Sequence, residues 1–414
     1  MLIMFRVKNF ASFKDDAILD LRPASFKNMK NHIITNGEIE ALKTLAIYGK
    51  NASGKSNLIS ALYFFKSFVH NNFFNEISTE EKKQNKIPSP FRTRYMLSDE
   101  DNKESEFEII FYYKNNMYQY GFNLFDSNVV EIKEEWLLIN NKVLFERKNF
   151  KDLSFNPHYK NELDEIGKKI RNDRLFIGNL DYFAEEENYS KKVVDDIKSY
   201  FKNIFNVYFE FHMESSIKGI AESFFYSGRI FKDENYRKKI EKYLKIADVG
   251  IERISIDEII EDEKKSYIIK MVHNVYDSKN NKCGEKEFNL QMESSGTIRY
   301  FSFIQKIINQ FENGGVFIVD EITARLHPIL TKFLLDMYQS EDNQKAQLIF
   351  TTHDVSFMNK DQMRRDEIVL VDKNIYGEST INSMSDYKVR SDASFSKDYL
   401  KGKYGAIPVI KDDN

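Results

Sequence analysis

The eight residues "GKNASGKS", Gly49 to Ser56, constrain the fold of this 414-residue chain more than any other segment. They match the pattern G-x-x-x-x-G-K-[ST]. The apolar segment "TLAIY" precedes them, and a segment with helical spacing of its apolar residues follows, at Leu58, Ile59, Leu62, Phe65 and Val69. Such a loop joins a strand to a helix, and its backbone N–H groups hold phosphate groups at the helix N-terminus. The sequence therefore predicts an α/β fold with a nucleotide site, and a glycine-rich turn without a ligand is the alternative.

The predicted ligands of this loop are ATP and Mg²⁺. Lys55 would reach the β- and γ-phosphates, and the Ser56 hydroxyl would ligate the magnesium ion. The residues expected to surround the nucleotide are Gly49, Asn51, Ala52, Ser53, Gly54, Lys55, Ser56 and Asn57.

Two adjacent acids, Asp320 and Glu321, end the apolar run of "FIVDEITARLHP". They could form a metal site, supply a catalytic base, or be the solvated polar rim of a sheet. Mg²⁺ keeps several waters and takes few protein ligands, so Ser56 and Asp320 would suffice to hold it beside a nucleotide. Glu321 would then be left to polarise the attacking water as a general base.

His353 follows the apolar segment "LIFTT", one strand after the acidic pair. A histidine at a strand end is more often structural than catalytic. At this place in the chain, however, it would share a sheet edge with the phosphate loop. There it would hydrogen-bond the γ-phosphate or the attacking water, so a catalytic role is predicted.

The segment "MESSGTIRYFSF" places Ser294, Ser295 and Gly296 at the start of a helix expected over roughly residues 296–312. An ordinary helix cap is the default interpretation of this turn. The same geometry offers N–H groups and a serine hydroxyl to an anion. A turn that does not face its own phosphate loop could face that of a neighbouring copy.

The chain is expected to have three parts, which are residues 1–150, 151–248 and 249–414. The first is strand-rich, with hairpins turning at Asn115-Asn116 and Asn140-Asn141. The second is rich in Lys and Glu with helical periodicity, which continues through residues 190–211. Strands resume at Ile251, and a further strand, "EIVLVDK", lies in the tail.

Composition excludes several classes of protein. The formal net charge of −3 gives no global field for nucleic acid, although a local basic patch stays possible. Cys283 is the one cysteine, which excludes a disulfide framework and a cysteine zinc site. The N-terminus lacks a signal-peptide pattern, and no apolar run reaches the length of a membrane span. A soluble cytoplasmic protein without membrane contact is expected.

Taken in order, "VKNFASFKD", "GKNASGKSNL", "ESSGT", "FIVDE", "RLHP" and "FTTHD" resemble the motifs of ABC-type ATPase heads of the SMC, RecF and OLD families. The resemblance implies a two-lobed head with a mostly helical insertion between its lobes. It makes Ser294-Ser295-Gly296 the signature motif, residues 320–328 the Walker B end and D-loop, and His353 the switch histidine. It also implies ATP bound between two protomers of a dimer or larger homo-oligomer. Arg325 is then a candidate for a cross-subunit contact, and an ordinary exposed loop arginine is the alternative.

The segments "KIADVGIERI", "RRDEIVLVDK" and "YKVRSDASFSKDYLKGKYGAIP" resemble the RloA or AbiL-type abortive-infection ATPases, and the PARIS defence ATPases are also similar. Membership would imply an ATPase subunit that acts with a separately encoded Toprim nuclease of RloB type, or another nuclease. The sixty or so residues after His353 are too few for a Toprim domain in the same chain.

Two departures from the broader pattern are present. Ser295 stands where ABC proteins usually have the first glycine of the signature, and Gln119 is a Q-loop candidate by position only. Two functions therefore remain open. One is the sensor or scaffold ATPase of an anti-phage system. The other is a RecF-like clamp on DNA, with possible basic surfaces at Lys168-Lys169-Arg171-Arg174 and Arg237-Lys238-Lys239.

Overall fold

A computed structural model describes residues 1–74, 94–126, 130–208, 228–247, 250–261, 264–388 and 394–408. The chain divides into two compact units. The first consists of Met1–Tyr208, Gly314–Glu321 and Tyr338–Asn414, and the second of Phe209–Asn313 and Ile322–Met337. Both units combine strands with helices, and the predicted α/β class is confirmed.

The strands are β1 (Leu2–Lys8), β2 (Ala17–Asp20), β3 (Ile33–Asn36), β4 (Ile39–Leu42), β5 (Thr44–Tyr48), β6 (Glu104–Tyr113), β7 (Asn116–Asp126), β8 (Val130–Ile139), β9 (Lys142–Lys148), β10 (Asp152–Phe155), β11 (Phe205–Tyr208), β12 (Ile251–Glu261), β13 (Lys264–Tyr276), β14 (Lys282–Asn289), β15 (Gly315–Val319), β16 (Ala346–Thr351), β17 (Ile368–Lys373) and β18 (Ser379–Ser383). The helices are α1 (Lys55–Phe74), α2 (Lys160–Gly167), α3 (Phe176–Phe183), α4 (Tyr189–Ser199), α5 (Arg229–Lys232), α6 (Glu234–Ile246), α7 (Ser295–Asn313), α8 (Pro328–Gln339) and α9 (Phe395–Leu400). A π-helical turn covers Tyr200–Ile204, and 3₁₀ turns cover Lys30–His32, Leu290–Met292, Val355–Phe357, Arg365–Glu367 and Met384–Asp386.

The first unit contains a six-stranded sheet in the order β11-β15-β16-β5-β17-β18. All neighbouring strands in it are parallel except β17 and β18. Strands β5, β15 and β16 are buried along their whole length, as expected of a parallel sheet covered on both faces. Loops that leave the carboxyl ends of these parallel strands therefore meet at one edge.

The same unit holds a seven-stranded antiparallel sheet in the order β10-β9-β8-β7-β6-β1-β2. Helix α1 packs against it through an aromatic cluster around Phe65. The Phe65 ring stacks on Phe122 at 5.1 Å between centroids and meets Phe5 edge-on at 5.9 Å. All five apolar positions predicted for this helix are buried, at Leu58, Ile59, Leu62, Phe65 and Val69. This packing holds the helix that follows the phosphate loop.

The second unit contains a three-stranded antiparallel sheet, β12-β13-β14, and helices α5, α6 and α7. Helix α7 begins at Ser295, one residue before the predicted start. The Tyr236 hydroxyl of α6 donates to the Gln305 carbonyl of α7 at 3.0 Å. That bond and the buried Tyr236, Ile240 and Leu244 fix α7, and thereby the turn before it.

Three local predictions differ from the structure. The hairpin between β6 and β7 turns at Lys114 and Asn115, which have φ values of 46° and 64°, rather than at Asn115-Asn116. The Asn140-Asn141 turn is confirmed. Helical periodicity does not persist after residue 199, because a π turn and strand β11 follow. Phe205, Val207 and Tyr208 are of types that favour strands, and β11 pairs with β15 in the parallel sheet. Strand β14 was not predicted.

Parts of three sequence motifs lie outside the described residues. These are residues 209–211 of the expected helical segment, 248–249 of "KIADVGIERI" and 389–393 of the tail motif.

Candidate functional site

The phosphate loop joins β5 to α1 at the carboxyl edge of the parallel sheet. Both of its glycines are required by close packing. A Cβ on Gly49 would clash with the Val371 carbonyl of β17 and lie 2.6 Å from Ser53 Oγ. Gly54 has a φ of 115°, and a Cβ there would lie 2.5 Å from Ser379 Oγ and 2.9 Å from Ser12 Oγ. The spacing of the two glycines is thus set by the neighbouring elements as well as by the loop.

A small hydroxyl cluster supports the loop from outside. The Ser379 hydroxyl of β18 donates to the Ser53 carbonyl at 2.6 Å and lies 2.7 Å from Ser12 Oγ. The Ser379 N–H also donates to the Ser12 carbonyl at 2.7 Å. Asn57, predicted to contact the nucleotide, directs its side-chain amide to Ser12 Oγ at 2.7 Å. The cluster therefore ties the turn after β1, the strand β18 and the loop together.

Lys55 is buried and its ammonium is held within the loop. Its Nζ donates to the Gly49 carbonyl at 2.8 Å and to the Lys50 carbonyl at 3.1 Å. Burial lowers the pKa of Lys55, and the charges of Glu321 and Asp320 act in the opposite direction. Lys55 therefore lies close enough to Asp320 and Glu321 for their charges to act on it, as expected if the three residues share one site.

Lys50, also in the loop, contacts the tail of the chain through an acid. Its Nζ lies 2.9 Å from Asp372 Oδ1 and donates to the Lys373 carbonyl at 2.9 Å. Asp372 Oδ2 accepts from the Ala406 N–H at 3.1 Å. The tail segment "YLKGKYGAIP" is thus attached to the phosphate loop through β17.

The loop fits an anionic phosphate ligand. Ser53 Oγ is buried and has no hydrogen-bond partner within the described part of the chain. The α1 helix begins at Lys55, so its unpaired N–H groups and positive dipole end face the loop. Ser56 is exposed at that helix start, and Asn51 and Ala52 are exposed at the loop tip. These residues can hold nucleotide phosphates, and Ser56 can offer a hydroxyl to Mg²⁺.

The two acids occupy different positions at the end of β15. The Thr351 hydroxyl donates to Asp320 Oδ1 at 2.7 Å, and Thr351 Oγ1 accepts from the Glu321 N–H at 2.7 Å. Glu321 has a φ of 51°, a left-handed conformation that costs a non-glycine residue about 1–3 kcal/mol and that its surroundings must enforce. Because of this backbone conformation at Glu321, the adjacent side chains of Asp320 and Glu321 lie in different positions.

His353 lies two residues beyond the end of β16, on the same sheet edge. Its Nε2 is 3.8 Å from Glu321 Oε2. Burial lowers the pKa of His353 and the Lys55 charge lowers it further, while Glu321 and Asp320 oppose the shift. A neutral imidazole can donate to a phosphate oxygen, and it can donate to or accept from a water. The structure thus brings Lys55, Asp320, Glu321 and His353 together.

The signature turn belongs to the second unit. Ser294 Oγ accepts from the Thr297 N–H at 3.0 Å, which caps helix α7 as the default interpretation predicts. Ser294 and Ser295 are exposed. Glu293, directly before the turn, pairs through Oε1 with His273 Nε2 of β13 at 2.7 Å. An anion at this turn would meet the α7 N-terminus and two serines.

Gly296 of the turn packs on the segment that follows the acids. A Cβ at this position would lie 2.7 Å from the Arg325 carbonyl, so only glycine fits without displacing the backbone. Arg325 itself has a φ of 60° and an exposed side chain. The turn at residues 294–296 and the segment 322–328 therefore form one surface of the second unit.

No group of three or more His, Cys, Asp or Glu residues that could hold a metal ion occurs among the described residues. Magnesium at Ser56 and Asp320 would therefore complete its shell with phosphate oxygens and water. Gln119 lies in the middle of β7, where its amide donates to Glu108 Oε1 at 2.8 Å.

Sequence reasoning missed Thr351, Ser12, Ser379 and Asp372. Three of them stand inside the quoted segments, Ser12 in "VKNFASFKD", Thr351 in "FTTHD" and Asp372 in "RRDEIVLVDK", so the signal was a polar residue within a motif. Ser379 lies in none of these segments, since its role arises from the pairing of β18 with β17.

A phosphate loop after β5, acids after β15 and a histidine after β16 define the class of P-loop nucleotide-hydrolase domains. A family model described as "AAA domain, putative AbiEii toxin, Type IV TA system" matches residues 45–359. The chain belongs to this family of AAA-type ATPase domains. No curated protein sequence matches it significantly.

Similar architectures occur among solved structures. An SMC head bound to the C-winged helix domain of ScpA has a TM-score of 0.46 at 15% identity, covering 92% of this chain and 97% of that one. An SMC head domain from Thermotoga maritima has a TM-score of 0.41 at 13% identity, covering 94% and 99%. An Smc head domain with an extended coiled coil, bound to the C-terminal domain of ScpA derived from Pyrococcus furiosus, has a TM-score of 0.46 at 13% identity, covering 97% and 98%. At these TM-scores the similarities do not determine the function of this chain.

A search for long apolar helices among the described residues finds none that could cross a membrane.

Proposed function

We propose that this protein is the ATP-binding and ATP-hydrolysing sensor or scaffold subunit of a prokaryotic anti-phage, abortive-infection system, acting in the cytoplasm on a separately encoded nuclease. The observation that carries the ATPase part is the meeting of Lys55, Asp320, Glu321 and His353 at one sheet edge. The defence part is supported by the family description, which names an AbiEii toxin and a type IV TA system, and by the tail motif.

The residues of the site divide the work of hydrolysis. Lys55 and the loop N–H groups bind the β- and γ-phosphates. Magnesium held by Ser56 and Asp320 would neutralise developing phosphate charge. Glu321 orients and deprotonates the attacking water, and His353 hydrogen-bonds the water or the γ-phosphate. The neutral state of His353 favoured by burial suits a group that must accept as well as donate a hydrogen bond.

Self-association through the nucleotide is part of the proposal. The surface formed by residues 294–296 and 322–328 offers a helix N-terminus and exposed serine hydroxyls, which suit an anion. Two apolar side chains close to these segments in sequence, Met292 and Ile329, are 67% and 71% exposed. An interface that closes on the nucleotide of a second copy needs exposed apolar side chains beside a turn that can bind an anion. This surface offers both.

The tail provides a route by which nucleotide state could reach a partner. Lys50 of the phosphate loop, Asp372 and the Ala406 N–H form one connected chain of contacts. A tail displaced by movement of the loop would change the surface offered to a nuclease of the Toprim type.

The alternative is a RecF- or SMC-like clamp that binds DNA on ATP-driven dimerisation. It needs basic surfaces, and the two predicted clusters are largely paired with acids. Lys168 pairs with Glu165 and Arg171 with Asp173, while Lys238 pairs with Glu234 and Lys239 with Glu312. Such pairing lowers the net positive field available to phosphates. The defence function is therefore the one proposed here.

Co-purification separates the two functions. The tagged chain would be expressed together with the products of the genes that flank its own, and purified with ATP and Mg²⁺. The proposal expects a nuclease to be recovered with the wild type, in an amount that depends on nucleotide. Lys55→Ala, which should bind no ATP, gives the nucleotide-free control. Lys50→Ala changes a lysine of the same loop that faces Asp372, and it should keep ATP binding.

Recovery of no nuclease, together with ATP-dependent and salt-sensitive retention of duplex DNA, would establish the clamp instead. Equal ATP binding by Lys55→Ala and the wild type would overturn the nucleotide site itself.

A further inference from the structure

We infer that Thr351 is a positioning residue for ATP hydrolysis, because one hydroxyl sets both the magnesium carboxylate and the catalytic base. This inference rests on the proposed function. It concerns a residue that precedes the predicted switch histidine by two positions. Neither the sequence motifs nor the family description gives this residue a role.

The hydroxyl has a single arrangement that satisfies both neighbours. A carboxylate can only accept, so the Thr351 proton must point to Asp320 Oδ1, at 2.7 Å. The lone pair left on the same oxygen then accepts from the Glu321 N–H, also at 2.7 Å. One side chain thus fixes the orientation of the Asp320 carboxylate and the position of the Glu321 backbone.

The strand register explains why Thr351 is the residue that does this. Strands β15 and β16 are parallel, and Val319 pairs with Phe350. The next residue of each strand, Asp320 and Thr351, therefore emerges side by side at the carboxyl edge. Thr351 is fully buried, so water does not compete for its hydroxyl. The branched β-carbon restricts its rotamers, which keeps the oxygen between the two acids.

The backbone at Glu321 shows that the support is needed. Its φ of 51° is unfavourable for a glutamate, and the N–H that Thr351 accepts belongs to this residue. Loss of the hydroxyl would remove this hydrogen bond and let the backbone relax. The Glu321 carboxylate, which lies 3.8 Å from His353 Nε2, would then move relative to the water that it activates.

Steady-state ATPase assays on Thr351→Val and Thr351→Ser test the inference. Valine keeps the shape and removes the hydroxyl, whereas serine keeps the hydroxyl. We expect Thr351→Val to lower kcat about 10- to 100-fold, since a hydrogen bond to a charged group is lost. The KM for ATP should change less than about threefold, because Lys55 and the loop still bind the phosphates. The Mg²⁺ concentration that gives half the maximal rate should rise, and Thr351→Ser should restore most of the activity.

Thr331→Val is the matched control. Thr331 is a buried threonine of α8 whose hydroxyl has no hydrogen-bond partner among the described residues. Its replacement should leave kcat and the Mg²⁺ dependence unchanged. Thermal melting of each variant shows whether it is folded at the assay temperature.

Wild-type kcat and Mg²⁺ dependence in folded Thr351→Val would overturn the inference. So would a folded Thr351→Ser that is as inactive as the valine variant, because its hydroxyl is present. If Thr351→Val does not fold, Thr351→Ser decides by its Mg²⁺ dependence, which should match the wild type. A wild-type protein that hydrolyses no ATP would refute the proposed function instead, and Lys55→Ala identifies that case.

Discussion

The Arg325 carbonyl packs against Gly296, and a Cβ added to Gly296 would lie only 2.7 Å from the carbonyl oxygen. The turn that resembles an ABC signature and the segment that follows Asp320 and Glu321 are therefore in direct backbone contact within the second unit. Arg325 has an exposed side chain and a left-handed backbone with a φ of 60°. A ligand held by the turn would also act on the backbone of residues 322–325, which follow Glu321 directly.

Ser294→Arg should block ATP-dependent assembly while the isolated chain still binds ATP. The arginine would fill the exposed face of the turn, and the loss of the Ser294 cap would cost α7 about 1 kcal/mol. Size-exclusion chromatography with and without ATP measures assembly, and titration with a fluorescent nucleotide measures binding. Ser266→Arg, the same change at an exposed position of β13, is the control. An elution profile with ATP that matches the wild type would argue against a trans site at this turn.

Glu321→Gln should keep ATP binding and slow hydrolysis about 10²- to 10⁴-fold, the usual contribution of a general base. Glutamine keeps the size of the side chain but cannot take the proton from water. Phosphate release measures the rate, and the same samples should accumulate the ATP-bound assembly. Glu341→Gln, at an exposed glutamate of the first unit, should hydrolyse ATP normally. Hydrolysis by Glu321→Gln at the wild-type rate would show that another group activates the water.

Ser12→Ala and Ser379→Ala should each weaken ATP binding about three- to tenfold. Each removes a hydroxyl that makes two contacts in the cluster, Ser379 with Ser12 and the Ser53 carbonyl, and Ser12 with Ser379 and the Asn57 amide. The two hydroxyls contact each other, so the double variant should lose less than the sum of the single losses. Isothermal titration measures all three affinities, and Ser383→Ala on the same strand serves as the control. Strictly additive losses would mean that the two serines act separately.

Glu135→Ala should lower the free energy of unfolding of the first unit by about 3–5 kcal/mol. The Glu135 carboxylate is fully buried and accepts from the N–H groups of Phe176 and Ile177, which begin α3, and from the Tyr120 hydroxyl. Its removal also leaves the buried Arg147 without its acid. Urea unfolding followed by circular dichroism measures the loss. Glu134→Ala, at the half-buried neighbour, should cost less than about 1 kcal/mol.

The same residue predicts a pH dependence of stability. Burial raises the pKa of Glu135, and Arg147 and the α3 N–H groups oppose the shift. A raised folded-state pKa means that its contribution is full below the ordinary value of 4.5 and is lost as the pH rises through the raised pKa. The wild type should therefore lose stability relative to Glu135→Gln across that interval. A constant difference between the two proteins would show that Glu135 does not titrate there.

Much of the site was predictable because its parts are local in sequence. The phosphate loop needs only eight consecutive residues between a strand and a helix, and Asp320, Glu321 and His353 follow apolar runs. Parallel strands present their carboxyl ends at one edge, so these residues could be expected to meet. Periodicity also predicted the five buried positions of α1 and the start of α7 to within one residue.

After residue 199, a π turn and strand β11 stand where periodicity predicted a continued helix. Three of the four residues 205–208 are of types that favour strands, but the periodicity of the preceding helix predicted that the helix would continue, and pairing with β15 decides the outcome. A hydrogen bond to a strand more than a hundred residues away in the chain cannot be inferred from periodicity.

The sequence by itself determined the class of fold, the phosphate loop and the order of the acids and the histidine. The tertiary structure alone decided which residues support them. Ser12 and Ser379 meet across 367 positions of the chain, and Thr351 meets Asp320 across 31. These contacts depend on strand register and close packing, which bring distant residues together without leaving a periodic pattern in the sequence. For that reason the groups that would carry out the chemistry could be named in advance, while the groups that hold them in position could not.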